Sequence, residues 1–180
     1  MPTYISLLRG INVSGQKRVL MTDLKALYES CGFDRVVTYI QSGNVIFNAP
    51  DTDATLLRQR IEAAIVGKYG FQVPVTVRSV AAWQTIVDEN PFLREDGIEL
   101  DKLYVTLLAD TPAPDLIAAL SAFDFPPDRL VIIRDSVYLH CPKNYGESKL
   151  SNNFVERKLR TSATTRNWRT MLTLLELAMK

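Results

Sequence analysis

A hairpin signal in residues 36–48 constrains the fold more than any other stretch of this chain. The segment is VVTYIQSGNVIFN, in which two runs of β-branched and aromatic residues flank Gln41, Ser42, Gly43 and Asn44. Gly43 has access to the positive φ that a tight turn requires. We therefore predict strands at about residues 36–41 and 44–48, joined by a polar turn.

The elements around this hairpin predict a ferredoxin-like unit. A strand at residues 4–8 and a helix capped by Thr22 precede it, and a helix capped by Asp53 follows it. A strand at residues 73–77 then completes the order β-α-β-β-α-β. In that topology the fourth strand lies at a sheet edge, where Pro74 is tolerated because proline donates no ladder hydrogen bond.

The second half of the chain shows the same order less regularly. A strand at residues 102–109, a helix from Pro114 and a hairpin at residues 130–141 lead to a short helix that Ser151 caps. The apolar stripe of a final helix, residues 167–179, is Trp168, Met171, Leu172 and Leu175. We therefore expect an α+β fold of two ferredoxin-like halves, residues 1–79 and 80–180. In the second half, two C-terminal helices are expected in place of a clean fourth strand.

Composition narrows the class of protein. The 180 residues are 47% hydrophobic and 23% charged, which is typical of a globular protein with one large core or two small ones. Cys31 and Cys141 lie far apart without a CxxC motif, which favours reduced thiols. No secretion signal and no membrane-length apolar run is seen, so we expect a cytoplasmic protein. His140 is the single histidine, which excludes a histidine-rich metal site, and no GxSxG motif is present.

The net charge of +1 hides an asymmetry along the chain. Residues 1–79 carry a charge of +3, residues 80–142 carry −7 and residues 143–180 carry +5. A polyanion would therefore meet the two ends of the chain and avoid its middle.

Topology predicts a candidate site at one end of the first sheet. Strands one and two of a split βαβ unit are parallel, so the end of the first strand and the hairpin tip lie at the same edge. The amino end of the first helix points there too and offers free N–H groups. The predicted site residues at this edge are Arg9, Gly10, Asn12, Lys17, Gln41, Ser42, Gly43 and Asn44. The alternative is a hydrogen-bonded loop with solvated cations, since the glycines match neither GxxxxGK[ST] nor GxGxxG.

A second basic constellation lies near the carboxyl end. Its cations are Lys143, Lys149, Arg157, Lys158, Arg160, Arg166 and Arg169. Tyr145, Phe154 and Trp168 are interleaved with them, which is compatible with phosphate contacts and base stacking. Phe154 and Trp168 also lie on apolar helical stripes, so core packing is the alternative for them.

Four motifs in order then resemble a known family. They are LLRGINV at residues 7–13, YIQSGNV at 39–45, YGESKL at 145–150 and ATTRNW at 163–168. Together they resemble the bacterial domain of unknown function 1697 family. The resemblance implies two ferredoxin-like halves and no activity. It also marks Ser148, Lys149, Arg166, Asn167 and Trp168, while Ser14 and Glu147 depart from the residues expected there.

These observations leave three hypotheses about function. The first is a phosphate-bearing small molecule bound in a polar, basic cleft between the halves, on which Arg9, Lys149 and Arg166 converge. The second is nucleic-acid binding through the basic C-terminal region, and the third is an interaction module without a ligand. Whether the protein is an enzyme stays open, because no residue is placed as base or nucleophile. Cofactor and oligomeric state are likewise undetermined.

Overall fold

The computed structural model describes residues 1–180 and contains eight strands and six α-helices. The first half comprises β1 (Thr3–Leu8), α1 (Met21–Ser30), β2 (Asp34–Tyr39), β3 (Asn44–Asn48), α2 (Ala54–Tyr69), β4 (Val75–Ser79) and α3 (Val80–Asp88). The second half comprises β5 (Leu103–Leu108), α4 (Pro114–Ser121), β6 (Arg129–Ile133), β7 (Ser136–His140), α5 (Asn152–Leu159), β8 (Ala163–Asn167) and α6 (Trp168–Ala178).

The strands form two antiparallel sheets with the same connectivity. The first has the order β2-β3-β1-β4 and the second the order β6-β7-β5-β8. Each is the order of a ferredoxin-like unit, so the predicted fold class is confirmed. β4 lies at the edge of its sheet, as predicted. It begins at Val75, two residues later than the predicted strand at residues 73–77, so Pro74 precedes the strand and is not part of it.

The chain divides into two compact units. Unit 1 is residues 1–85 together with residues 174–180, and unit 2 is residues 86–173. In unit 1, α1 and α2 pack on one face of the sheet, and Tyr28, Phe33 and Phe47 form an aromatic cluster with ring centroids 4.7–6.1 Å apart. Burying each such side chain stabilises the fold by about 1.5–3 kcal/mol. No helix of the chain has the length and apolarity needed to span a membrane.

Helix boundaries in unit 1 follow the local sequence with one exception. Asp53 caps α2 by accepting from the Thr55 N–H, and Gly70 ends that helix in the left-handed region, as expected. The predicted Thr22 cap is wrong, because α1 begins at Met21 after Leu20, which has no side-chain cap hydrogen bond. The physical reason lies upstream. The Asn12 side chain holds Val19, so the chain enters the helix two residues earlier.

Residues 163–167 form a strand, which corrects the expectation that the second half lacks one. β8 pairs with β5 along its whole length, so α5 and β8 complete unit 2 and only α6 is additional. Thr165 Oγ1 bonds Thr106 Oγ1 at 2.7 Å and donates to Asn152 Oδ1 at 3.0 Å. The segment ATTRN is polar and shows no apolar alternation, so its own sequence does not predict a strand. The residues that bond it, Thr106 and Asn152, lie elsewhere in the chain.

Two turn boundaries and the buried face of α6 also differ from the sequence prediction. β2 ends at Tyr39, so Ile40 and Gln41 belong to the turn, which spans residues 40–43. Ser136 begins β7, which leaves a two-residue turn in the second hairpin. Leu172, which the predicted apolar stripe of α6 includes, is 39% exposed, and Leu174 is buried instead.

Candidate functional site

The connection from β1 to α1 contains a small hairpin. The Asn12 N–H donates to the Lys17 carbonyl at 3.1 Å, and Val13 bridges Gln16. Ser14 and Gly15 have φ of 51° and 73°, the signs that a type I′ turn requires at both central positions. A well-defined exposed hairpin therefore replaces the irregular loop that the sequence suggested.

The Asn12 side chain joins this hairpin to the β2–β3 turn. Its Nδ2 donates to the Gln41 carbonyl at 2.8 Å and to the Val19 carbonyl at 3.0 Å. Its Oδ1 accepts from the Val19 N–H at 2.8 Å. The structure thus brings together the two motifs that the sequence assigned to one edge. We call residues 9–20 and 40–44 the rim.

Backbone strain is concentrated at the rim. Seven residues other than glycine have positive φ, and four of them are in the rim, namely Asn12, Ser14, Lys17 and Ile40. Ile40 is the most costly, since a β-branched residue with φ of 50° is an outlier of about 1–3 kcal/mol. It is also 51% exposed, so little burial of its own side chain offsets that cost.

Gly43 and Asn44 are fixed by packing and hydrogen bonds. A Cβ on Gly43 would lie 2.7 Å from Leu8 Cβ and 2.9 Å from Ile11 Cδ1. Asn44 is buried, and its Nδ2 donates to the Tyr39 carbonyl at 2.9 Å and to Ser42 Oγ at 3.0 Å. Both residues therefore shape the turn.

The exposed groups of the rim are basic. No acidic residue occurs in residues 9–20 or 40–44. Arg18 is exposed, Arg9 is half-buried, and Gly10 beside it is exposed with a φ of 71°. Lys17 Nζ donates to the Gln72 carbonyl at 2.7 Å, which ties the hairpin to the segment before β4. Leu20 provides no side-chain cap for the α1 amino terminus, whose first turn contains one acidic residue, Asp23.

Ser148 has structural partners in unit 2. Its Oγ donates to Asp128 Oδ2 at 2.7 Å and accepts from the Leu150 N–H at 3.0 Å. Burial raises the pKa of the neighbouring Cys141 thiol to about 11, so this cysteine is a thiol at neutral pH. Lys149 is exposed. A nucleophile–base role for Ser148 and Lys149 gains no support from these contacts.

Arg166 and Asn167 lie at the end of β8. The Asn167 side chain caps α6 by accepting from the Thr170 N–H at 2.8 Å. Arg166 donates to the Thr165 carbonyl at 3.0 Å, and burial lowers the pKa of its guanidinium to about 10. Thr165 faces α5, so the alternating strand directs Arg166 to the other face of the sheet. That Arg9, Lys149 and Arg166 meet on one ligand stays a prediction.

The aromatic residues of the basic C-terminal region are engaged in packing. Trp168 is 2% exposed, and Tyr145 stacks on Tyr104 with ring centroids 4.8 Å apart. Phe154 contacts Phe125 edge to face and lies under Lys158. Trp168 is therefore closed to base stacking, and Tyr145 and Phe154 each already pack against another aromatic ring.

One polar cluster of unit 2 was not predicted from the sequence. Arg129 makes a bidentate pair with Glu95, with both N–O distances 2.8 Å, and its Nη2 lies 3.2 Å from His140 Nδ1. The hydrogen bonds from Arg129 lower the pKa of Glu95, while burial and the Arg129 charge lower that of His140. Glu95, Arg129 and His140 are separated in the sequence and belong to no common motif, so the sequence does not indicate this cluster.

The fold and the rim define an α+β protein of two ferredoxin-like units with a strained, basic loop at one sheet end. A family model described as a protein of unknown function (DUF1697) matches residues 1–138, and the chain belongs to that family.

Two known proteins are similar to this chain. The structure of conserved bacterial protein SP0830 from Streptococcus pneumoniae has a TM-score of 0.80 at 22% identity, covering 100% of this chain and 99% of that one. It shares the fold. An NADPH-dependent 7-cyano-7-deazaguanine reductase of Polaromonas sp. is 30% identical over 117 residues, which are 65% of this chain. The chain spans 40% of the length of that relative.

Proposed function

We propose that the rim of unit 1 binds a phosphate-bearing small molecule and that the protein acts in the cytoplasm. The observation that carries the proposal is the concentration of left-handed residues in an exposed, basic segment without acids. Strained backbone persists where the surrounding structure holds it, and it clusters at ligand sites. In the rim, the Asn12 side chain holds the strained backbone through its hydrogen bonds to Gln41 and Val19.

Comparison of the two sheets supports a functional reason for the positive charge. Backbone bonds at the ends of β1 and β5 match, since Leu8 donates to Gly43 and Leu108 to Asp135. Arg9 and Gly10 follow β1, and Ala109 and Asp110 occupy the matching positions after β5. The same topology therefore forms with acidic residues at this edge, so the cations of the rim are not a requirement of the fold.

The α1 amino terminus adds a second contribution. Backbone N–H groups at a helix start attract anions, and the partial positive charge of the helix adds to that of Arg18. A phosphate group would accept hydrogen bonds from these N–H groups and pair with the Arg18 charge, whereas a side-chain cap would compete with the phosphate for the N–H groups. Leu20 leaves that position without such a cap.

The proposal is tested by thermal unfolding with pyrophosphate and with NADPH as probes. NADPH is chosen because it is phosphate-bearing and occurs in the name of the Polaromonas relative. Binding to the folded state raises the melting temperature in a concentration-dependent way. We expect Arg18→Gln to weaken binding about tenfold, which corresponds to losing about 1.4 kcal/mol of a charge-assisted contact.

Lys143→Gln is the matched control, since Lys143 is an exposed lysine of unit 2 and the charge change is the same. Equal losses in Arg18→Gln and Lys143→Gln would reject the rim and indicate non-specific attraction. A steep log-linear loss of oligonucleotide affinity with salt, whose slope falls by about one unit in Lys143→Gln and is unchanged in Arg18→Gln, would favour the nucleic-acid alternative.

A further inference from the structure

Unit 1 contains a groove at the end of its sheet that lies opposite to the rim. Its volume is about 400 Å³. The rim lies where Leu7 pairs with Asn44, whereas the groove lies where Thr3 pairs with Asn48. A groove of this size is in the range that binds small molecules.

A β-bulge shapes the groove. The register between β2 and β3 shifts between Asp34 and Val37, and Arg35 within this bulge has a φ of 49°. Bulges redirect side chains and recur beside binding sites. The left-handed position of a bulge normally favours glycine, so an arginine here strains the backbone. The arginine side chain lines the groove.

The charges lining the groove leave one positive charge unbalanced. Lys25 and Arg35 are cationic, and Glu29 is the one acidic residue among the lining residues. Lys180 also lines the groove, but its ammonium lies 3.9 Å from Glu176, so we count that charge as compensated. One negative charge on an occupant would balance the remainder.

Apolar side chains and one amide complete the lining. Val37 is 45% exposed, and Ile46 and Leu177 lie beside it in the groove. Thr3 Oγ1 donates to Asn48 Oδ1 at 2.9 Å, which orients the Asn48 amide and leaves its N–H groups to donate to a ligand. Cations, an amide donor and an apolar wall are complementary to a carboxylate carried on a short alkyl body.

We propose that this groove binds a small amphipathic monoanion, a carboxylate with a short apolar chain. Arg35 and Lys25 bind the carboxylate, and Val37, Ile46 and Leu177 contact the chain. This site is separate from the rim and takes a different class of ligand, so its failure would leave the proposed phosphate site unaffected.

The test is a calorimetric titration of the full-length protein with octanoate, together with displacement of the fluorescent anion 1-anilinonaphthalene-8-sulfonate. Val37→Glu places a negative charge against the carboxylate, and we expect at least about tenfold weaker octanoate binding. Val66→Glu is the matched control, because Val66 is 42% exposed on α2 and lies outside both the groove and the rim. Equal affinities in these two variants would overturn the proposal.

Substitutions of Arg35 separate charge from strain. Arg35→Gly relieves the left-handed strain, so we expect an equal or higher melting temperature together with weaker octanoate binding. Arg35→Lys keeps the charge and is expected to retain most of the affinity. If Arg35→Gly binds octanoate as well as the unsubstituted protein, the guanidinium is not a ligand of the anion and the proposal is wrong.

Discussion

At the scale of single residues, the rim depends on two glycines that differ in what surrounds them. Gly15 has a φ of 73°, and a Cβ added there would meet no atom within 4 Å beyond its chain neighbours. Gly43 has a φ of 85°, and a Cβ there would clash with Leu8 and Ile11. Both positions therefore disfavour a side chain through the backbone, but only Gly43 also does so through packing.

Gly15→Ala and Gly43→Ala form a matched pair that measures this difference. We expect Gly15→Ala to cost about 1 kcal/mol of unfolding free energy, the penalty of a left-handed alanine. Gly43→Ala should cost about 2–4 kcal/mol, because overpacking against Leu8 adds to that penalty. Urea unfolding measures both. Equal costs would mean that the turn moves away from β1 without resistance.

At the scale of elements, the β6–β7 hairpin carries a pH-dependent cluster. Arg129 of β6 and His140 of β7 are cross-strand neighbours, and Glu95 pairs with Arg129. The charges of Glu95, Asp128 and Glu99 favour the charged form of His140, but burial and Arg129 outweigh them and lower its pKa. His140 is therefore neutral in the folded protein over a wider pH range than in the unfolded chain.

The sign of the pH dependence follows from this lowered pKa. As pH falls through the ordinary histidine pKa of about 6.5, the unfolded chain binds the proton more readily, so unfolding becomes easier. The lowered pKa of Glu95 acts in the same direction at lower pH, near the ordinary carboxyl range. We expect the urea midpoint to fall between pH 7 and pH 5.5, and His140→Gln to remove most of that fall. Glu95→Gln should remove the more acidic part of the fall. Because the Glu95 charge raises the His140 pKa, this substitution should leave the His140-dependent fall at least as large. A fall that persists unchanged in His140→Gln would contradict the assignment.

At the scale of the whole molecule, the two units repeat one plan. Arg78 in β4 pairs opposite Ile5, and Arg166 in β8 pairs opposite Val105, at matching positions of the two sheets. Each arginine donates to the carbonyl of the residue before it at 3.0 Å. Sequence identity between the halves did not indicate this repeat; the register of the strands reveals it.

Each unit also contains one free cysteine, which allows the two to be compared chemically. Cys31 is half-buried and Cys141 is buried, and burial raises the pKa of both thiols. We expect a disulfide reagent at pH 8 to modify Cys31 first and Cys141 only on the timescale of opening of unit 2. Because the thiolate is the reactive form, both rates should rise with pH. Cys31→Ser leaves one slow phase, and a fast phase that survives this substitution would contradict the order.

The sequence by itself determined the elements whose signals are local. The cap at Asp53 and the stop at Gly70 each depend on the conformational preference of one residue, and the structure agrees with both. The edge position of β4 is also as predicted, although Pro74 lies just before that strand. The order of elements then selected the ferredoxin-like plan. The joining of the two rim motifs also followed, because that plan places the end of β1 beside the hairpin tip.

Tertiary structure alone decided the features that depend on distant partners. β8 is a strand because it pairs with β5 and Thr165 bonds Thr106 and Asn152, not because its own sequence alternates. The groove of unit 1 combines α1, the β2 bulge and the end of α6, and no periodicity in the chain links these segments. Hydrogen bonds and packing across large sequence separations carry no local pattern, which is why only the folded chain reveals them.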